Sequence, residues 1–190
     1  HSLNIQLFDT YREPVGDILN IGNFTSLHDY AISSFNDTSV VIGITTSNQG
    51  YNHIPIEYVP SNQTSAYLIN ILTAGLASQL SLTPVQRSSD TAIMLVSYID
   101  NSVFYIKKLQ IDSSSIAKLE TNRAVSLPFN YQIKPFTDGS FAIVWANDTG
   151  LYGQDYGSDV QAKSTVITIN SGRVESFMIA EGGSTNSQTT

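Results

Sequence analysis

An internal repeat constrains this chain more than any other feature of its sequence. The segment around Tyr30 recurs around Tyr131, a separation of 101 residues. At this offset the matched pairs are Tyr30 with Tyr131, Ile32 with Ile133, Phe35 with Phe136, Asp37 with Asp138, Ser39 with Ser140 and Ile42 with Ile143. Ile5, Val15 and Ile18 match Ile106, Ile116 and Leu119 in the same way. About 40 residues therefore align without a gap, which indicates a fold built from repeated units.

A further copy lies midway between these two, so the period is about 50 residues. Asp90 and Thr91, followed by the apolar run 93–96, take the place of Asp37 and Thr38 with their following run. A fourth, partial copy begins at Leu151 and aligns Tyr152 to Tyr156 with the start of the first copy. We therefore expect one repeat domain over 1–180, with copies at 3–52, 53–102, 103–150 and 151–180, and a flexible polar tail over 181–190.

Each copy has the pattern of four short strands. In the first copy these are predicted over 3–8, 17–21, 30–35 and 39–45, with a turn at Asp37. The third copy has Asp138-Gly139 at the equivalent turn, and Asp-Gly between two apolar runs is a strong hairpin signal. Four antiparallel strands in 40 to 50 residues match the size of one β-propeller blade. The predicted fold is therefore all-β, a propeller-like array of about three and a half blades, with a β-sandwich as the alternative.

Composition also favours strands. Charged residues make up only 13% of the chain, whereas 10 Tyr and 8 Phe contribute to an aromatic content of 10%. Aromatic and β-branched residues are enriched in strands, and exposed helices are normally rich in Lys, Glu and Arg. One segment, 66–80, has Leu68, Ile71, Leu72 and Leu76 at helical spacing. Gly75, the β-branched residues and the repeat favour strands there as well.

The third copy resembles a known type of repeat. Its run Thr137-Asp138-Gly139-Ser140-Phe141-Ala142-Ile143-Val144-Trp145, followed by Tyr152-Gly153-Gln154-Asp155-Tyr156, is similar to the propeller-type repeat of large secreted and surface proteins. In that pattern an Asp-Gly turn precedes an apolar strand ending in Trp, and a Tyr-Gly-Gln-x-Phe strand follows. The second copy lacks both the Trp and the Gly. The resemblance implies extracellular scaffolding or adhesion without a shared catalytic site.

Repeated apolar positions form the predicted blade core, where neighbouring copies pack together. They are Tyr30, Ile32, Phe35, Ile42, Tyr131, Ile133, Phe136, Ile143 and Trp145. A closed propeller typically has four to eight blades, more than this chain supplies. The strand over 3–8 could complete the last copy or add to a neighbouring molecule, and the second arrangement would build a head-to-tail filament. Neighbouring copies of the same chain are accordingly the expected partners.

Charge and residue usage exclude several classes of function. With 9 Lys+Arg against 16 Asp+Glu, the net charge of -7 argues against a nucleic-acid partner. No apolar run is long enough to predict membrane insertion. The chain has no cysteine, which excludes disulfides, thiol catalysis and cysteine-ligated zinc. Its three histidines, His1, His28 and His53, lie at no metal-binding spacing, and no Gly-x-Ser-x-Gly elbow is present, so neither a metal nor a catalytic residue is assigned.

The aspartates at the repeated turns are Asp37, Asp90 and Asp138. Carboxylates at turns commonly accept local backbone hydrogen bonds, so we interpret them as turn residues and not as calcium ligands. The segment from Asp155 to Asp159 comes closest to a calcium loop but lacks the Asp-x-Asp-x-Asp spacing. We therefore expect no cofactor; N-linked glycans, and Ca²⁺ as the weaker alternative, remain open.

Four Asn-x-Ser/Thr sequons are candidate glycosylation sites, at Asn23, Asn36, Asn62 and Asn147. All four fall in predicted turns or connections, where a glycan could be attached. Together with the absence of cysteine and the low charge, they favour an extracellular or cell-surface location.

Three functions remain open. The first is a non-catalytic structural or adhesive module that polymerises. The second is a lectin-like propeller, in which exposed tyrosines stack on sugars; the candidates are Tyr51, Tyr58, Tyr67, Tyr98, Tyr105 and Tyr152. The third, a fragment of a secreted glycan-active enzyme, requires carboxylates that meet in a cleft.

Overall fold

The chain is an all-β protein, as its sequence predicts. The structure, a computed structural model, describes residues 2–36, 39–48, 51–60, 66–88, 91–112, 115–123 and 130–169. These residues form fourteen strands in four antiparallel sheets and contain no helix. In particular, residues Ala66–Thr73 form a strand, so the helical spacing in that segment does not produce a helix. The helical alternative fails because the apolar residues pair across a sheet.

One sheet has two strands and three sheets have four. The first sheet contains β1 (Ser2–Phe8) and β2 (Pro14–Asn23). The second contains β3 (Ser26–Asn36), β4 (Ser39–Asn48), β5 (Tyr51–Pro60) and β6 (Ala66–Thr73). The third contains β7 (Ser78–Arg87), β8 (Thr91–Asp100), β9 (Val103–Asp112) and β10 (Ser115–Arg123). The fourth contains β11 (Tyr131–Pro135), β12 (Phe141–Asn147), β13 (Gly150–Tyr156) and β14 (Ile167–Ile169). In each sheet consecutive strands are neighbours.

The register of the strands follows the repeat. In the second sheet Tyr30 pairs with Ile44, and in the fourth sheet Tyr131 pairs with Trp145. Ile32 and Ile42 form a pair in the second sheet, as do their counterparts Ile133 and Ile143 in the fourth. Each of these partners is displaced by the same 101 residues, so the two hairpins share one register. Equivalent positions in the sequence are therefore equivalent positions in the sheets.

The sheets do not begin where the sequence copies were placed. Copy 3–52 contains β1 and β2, which form a separate sheet, together with β3 and β4, which pair with β5 and β6. The four-stranded units instead run from Ser26 to Thr73, from Ser78 to Arg123 and from Tyr131 to Ile169. Within the described residues, the expected partial copy at 151–180 contains most of β13 and all of β14. Both strands belong to the fourth sheet. The sheet with only two strands is β1–β2, at the start of the sequence and not at its end. The period of the repeat does not show at which strand a unit begins.

An apolar core fills the space between the second and third sheets. Fourteen buried residues from β3 to β9 form one cluster, in which Phe35, Ile54, Ile56, Met94 and Leu109 are completely buried. The opposite face of the second sheet carries a smaller cluster, centred on Ile42, Ile44 and Val59. Leu3, Ile5, Leu19 and Ile21 of the β1–β2 sheet pack against it. The second sheet is thus covered on both faces, by β1–β2 on one and by β7–β10 on the other.

The expected blade core is only partly buried. Phe35, Ile42, Ile143 and Trp145 are at most 6% exposed, and Tyr131, Ile133 and Phe136 are half-buried. Tyr30 and Ile32 are 57% and 53% exposed, so the expectation that they are buried is wrong. Both pair with Ile44 and Ile42, which places them on the face that carries β1–β2. The β1–β2 strands on that face leave Tyr30 and Ile32 exposed, whereas Leu27 at the start of β3 packs against the cluster.

The chain divides into two compact units, His1–Pro128 and Phe129–Thr190. The first contains three of the sheets and the second contains β11–β14. In the described residues, no helix has the length and apolar character that crossing a membrane requires.

Candidate functional site

The turn aspartate of the fourth sheet is held by its own hairpin. Asp138 lies between β11 and β12, beside Gly139, whose φ of 81° is the left-handed conformation that favours glycine. The Asp138 Oδ1 atom accepts hydrogen bonds from the Ser140 backbone N–H, at 2.9 Å, and from the Ser140 hydroxyl. These bonds, with a smaller contribution from Lys163, lower the pKa of Asp138 below its ordinary value. This carboxylate therefore closes a turn, while Asp37 and Asp90 lie outside the described residues.

Two aspartates that the sequence analysis passed over connect the second sheet to the third. Asp100 is only 4% exposed, and its carboxylate accepts hydrogen bonds from the backbone N–H groups of Ala74 and Gly75, at 2.8 and 2.7 Å. A Cβ atom at Gly75 would collide with Asp100 and Asn101. Asp29 Oδ2 accepts a hydrogen bond from the Leu80 N–H at 2.9 Å. Asp29 thus fixes β7 against β3 of the preceding sheet, and Asp100 fixes the β6–β7 connection against β8.

A local signal for the first of these aspartates was present in the sequence. Asn101 and Ser102, which follow Asp100, both have positive φ, of 49° and 63°, and form the two-residue turn between β8 and β9. Asn at such a turn is a hairpin signal. It locates Asp100 at the end of a strand, but the partners of its carboxylate lie 25 and 26 residues earlier in the chain. Local pattern alone therefore does not reveal the connection.

The tyrosines considered for sugar stacking are mostly engaged within the fold. Tyr98 is 2% exposed and stacks on Tyr105, and burial together with Asp100 and Tyr105 raises its pKa well above the ordinary value. Tyr58 packs edge-on against Phe35, with ring centroids 5.1 Å apart. Tyr152 stacks on Trp145 at 6.0 Å. These four rings do not form an exposed cluster, and the side chains of Tyr51 and Tyr67 lie outside the described residues.

A shallow depression at one end of the third sheet holds no carboxylate. It is lined by Gln86, Arg87, Ser88, Thr91, Ile93 and Gln110, none of which is acidic. Within the described part of the chain, no three His, Asp or Glu residues are grouped as metal ligands. Asp159, in the segment considered for calcium, accepts a hydrogen bond from the Gln161 N–H at 3.1 Å and so closes its own turn.

Two of the four sequons present an exposed asparagine. Asn23 ends β2, and Asn147 ends β12. Asn147 Oδ1 accepts hydrogen bonds from the N–H groups of Thr149 and Gly150, which leaves its Nδ2 atom directed away from these bonds. The side chain of Asn36 and the whole of Asn62 lie outside the described residues.

The most unusual surface lies on the first sheet. Phe8, Tyr11, Val15 and Ile18 are between 42% and 84% exposed, and all four belong to the β1–β2 hairpin. A two-stranded hairpin is marginally stable by itself in water, and this one packs only one face against the second sheet. Tyr30 and Ile32 of β3 are exposed as well. Clustered exposure of this kind marks interaction surfaces.

No family model, curated protein or solved structure matches this chain. Its function must therefore be inferred from its own geometry.

Proposed function

We propose that this chain is a non-catalytic structural or adhesive module of propeller type that functions outside the cell and associates with further copies of itself. The observation that carries the proposal is the stacking of the sheets. The second sheet has two apolar faces, and it buries one against β7–β10 and the other against β1–β2. A unit of this kind is stabilised by its neighbours, as in repeat proteins and propellers.

The placement of polar groups supports a structural role. The carboxylate of Asp29 accepts a hydrogen bond from a backbone N–H of β7, that of Asp100 from the β6–β7 connection, and that of Asp138 from its own turn. Side chains used in this way hold sheets and turns together. A catalytic carboxylate, in contrast, needs a free face toward a substrate.

Glycan attachment and extracellular location are part of the same proposal. Asn23 and Asn147 end strands at exposed positions within sequons. A chain without cysteine needs neither a reducing nor an oxidising compartment, so the sequons are the feature that favours secretion. Expression through a secretory pathway should add mass that an N-glycosidase removes. Asn23→Gln and Asn147→Gln should each lower that mass by one glycan, and unchanged mass in both would contradict this part of the proposal.

Self-association is tested by the mass of the native particle. Light scattering coupled to size exclusion, together with electron microscopy, should find oligomers or filaments whose mass rises with protein concentration. A single species with the mass of one chain, up to a concentration of about 1 mM, would exclude any association of useful affinity. That result would overturn the polymerising module.

A further inference from the structure

The hairpin formed by β12 and β13 carries a sequon at its tip. The tip has the sequence Asn147-Asp148-Thr149-Gly150, and Asn147 pairs with Gly150 across the hairpin. The first three of these residues, which make up the sequon, are exposed. Asn147 follows Trp145 by two residues, so both side chains lie on one face of β12. A sugar attached to Asn147 would therefore leave the hairpin on the face that carries Trp145.

Tyr152 lies on the same face, next to the sequon. It pairs with Trp145 across the hairpin and stacks on it, with ring centroids 6.0 Å apart and ring planes at 21°. Tyr152 is also the diagonal cross-strand neighbour of Asn147, and aromatic side chains can bridge that separation. Trp145 is 6% exposed, whereas Tyr152 is half-buried. Trp145 is thus covered, while the ring of Tyr152 keeps part of its surface in water.

The glycine at the tip leaves a path from Asn147 to the ring of Tyr152. Gly150 stands opposite Asn147 and has no side chain of its own. A Cβ atom at Gly150 would lie 3.6 Å from Tyr152 Oη and 3.8 Å from both Cε2 and Cζ of the same ring. The outer end of the ring therefore lies where a side chain opposite Asn147 would stand. A group attached to Asn147 can reach the ring across the glycine.

Hydrogen bonds connect the tyrosine to the sequon. Thr149 Oγ1 donates to Asn147 Oδ1 at 2.7 Å and lies 2.6 Å from Tyr152 Oη. Since a hydroxyl has one proton, the Tyr152 hydroxyl is the donor to Thr149. Asn147 Oδ1 also accepts hydrogen bonds from the N–H groups of Thr149 and Gly150, at 2.8 and 3.0 Å. These bonds fix the side-chain amide of Asn147, and with it the direction of Nδ2, the atom that carries an N-linked sugar.

The sequon at Asn23 is built differently and provides a comparison. Asn23 is exposed at the end of β2, and its cross-strand partner is Ser2. The threonine of this sequon, Thr25, donates to a backbone carbonyl of β4 at 3.1 Å. The ring of Phe24 lies beside Gly22, a position on the other side of β2 from Asn23. A sugar on Asn23 is therefore a matched control, in which the partner across the hairpin is a serine.

The first sugar of an N-linked glycan, N-acetylglucosamine, suits such a surface. The hydroxyl groups of its pyranose ring point outward at the rim, so the faces of the ring present C–H groups. A face of this kind packs on an aromatic ring while the hydroxyls stay in water. Tyrosine has an apolar ring and a polar tip, and it therefore fits a boundary that is dry on one side and wet on the other.

We propose that the glycan on Asn147 is a structural part of the β12–β13 hairpin, with its first N-acetylglucosamine packed against the ring of Tyr152. Trp145 supports that ring by stacking on it, and the hydrogen bonds through Thr149 hold ring and sequon together. The sugar thereby stabilises the hairpin to which it is attached. This inference rests on the proposed glycan attachment and gives one of the two exposed sequons a structural role.

The test uses the full-length chain, secreted with high-mannose glycans and with a single sequon left. Asn23→Gln, Asn36→Gln and Asn62→Gln together leave Asn147, and an endoglycosidase trims its glycan to one N-acetylglucosamine. The matched control retains the Asn23 sequon instead. Mass spectrometry first establishes which asparagine carries the sugar. An unmodified Asn147 would overturn the proposed glycan attachment there, whereas a sugar without the contact would overturn this inference alone.

NMR detects the contact directly. Protons of the sugar on Asn147 should show nuclear Overhauser effects to the ring protons of Tyr152. The ring current of Tyr152 should also shift them upfield relative to the same sugar on Asn23. Tyr152→Phe keeps the ring and should keep the upfield shift, and Tyr152→Leu should abolish it. Sugar protons on Asn147 that match those on Asn23 and show no such effects would overturn the contact.

Hydrogen exchange measures the stabilisation. In the chain with Tyr152, the sugar on Asn147 should slow exchange of the protected β12–β13 backbone N–H groups about three- to tenfold, relative to the same chain made in a bacterial host without glycans. A sugar on Asn23 should leave this exchange unchanged. In Tyr152→Leu the slowing should disappear, and slowing that persists there would overturn the role of the ring. If Tyr152→Leu does not fold, the nuclear Overhauser effects in the chain with Tyr152 decide the contact.

Discussion

The first and third sheets contain strands that correspond at one sequence offset, yet their environments differ. In the third sheet β8 lies in the middle, and eight of its ten residues are buried. Among the described residues β1 pairs with β2 alone, and only one residue of these two strands, Ile21, is buried. Similar strand sequences therefore acquire a core or a surface according to their neighbours. What stabilises a position in this protein is the presence of the next strand and the next sheet.

The largest effect is expected at Trp145, on the second strand of a complete sheet. Trp145 is 6% exposed and stacks on Tyr152, so Trp145→Ala should lower the free energy of unfolding by about 3–5 kcal/mol. Denaturant unfolding measures this loss. A loss below about 1 kcal/mol would mean that second strands are not the buried strands of these sheets.

The sharpest test of the comparison uses two corresponding residues. Leu109 is completely buried on β9 and Phe8 is 61% exposed at the matching position of β1. Leu109→Ala should cost about 2–5 kcal/mol, whereas Phe8→Ala should stay within about 0.5 kcal/mol in a dilute, unassociated sample. Equal losses in urea unfolding would break the comparison, because they would show that both positions are buried.

The connection between sheets gives the next effect. Asp100→Ala removes the acceptor of two backbone N–H groups and should cost about 1–3 kcal/mol. Asp17→Ala, on the exposed part of β2, is the matched control and should be nearly neutral. Hydrogen exchange of Ala74 and Gly75 should also become faster in the Asp100 variant. Unchanged exchange there would argue against the connection.

The smallest effect concerns the turn at Asp138. Its pKa is lowered in the folded chain mainly by Ser140, so its contribution to stability is present above the unfolded pKa and is lost as the pH falls through the folded one. Ser140→Ala should bring the pKa of Asp138 back toward its ordinary value, as measured by NMR titration of the carboxyl carbon. An unmoved pKa would exclude the Ser140 hydroxyl as the main cause.

The sequence predicted the strands and the equivalence of the repeated positions. It did not predict which strands share a sheet. Alternation of apolar residues located β3 and β4, and the constant offset gave the shared register of Tyr30 and Tyr131. The sheets begin at strands other than those at which the sequence copies begin, because a repeat has the same period wherever it is started. The hydrogen bonds between β4 and β5 place these strands in one sheet, although the sequence copies divide the chain close to β5. Such pairing cannot be read from the period of the repeat.

Exposure was the second limit of prediction from sequence. Alternation shows that Tyr30 and Ile32 share a face, but it does not show whether another sheet covers that face. Asp100 was missed for a similar reason, since its partners are distant in the chain and are brought to it by the pairing of β7 with β8. The candidate interaction surface thus became visible only when buried and exposed copies of the same position were set side by side.

The carboxylate of Asp100 has a mechanical consequence. Every sheet is made of consecutive strands. Tension on the ends of the chain therefore unfolds one sheet without drawing strands out of its neighbour. The connection between β6 and β7 transmits such tension from the second sheet to the third. Asp100 accepts hydrogen bonds from two adjacent backbone N–H groups of this connection. A pull along this connection would load the two hydrogen bonds of Asp100 together with the Asp29–Leu80 bond and the apolar core that joins the sheets.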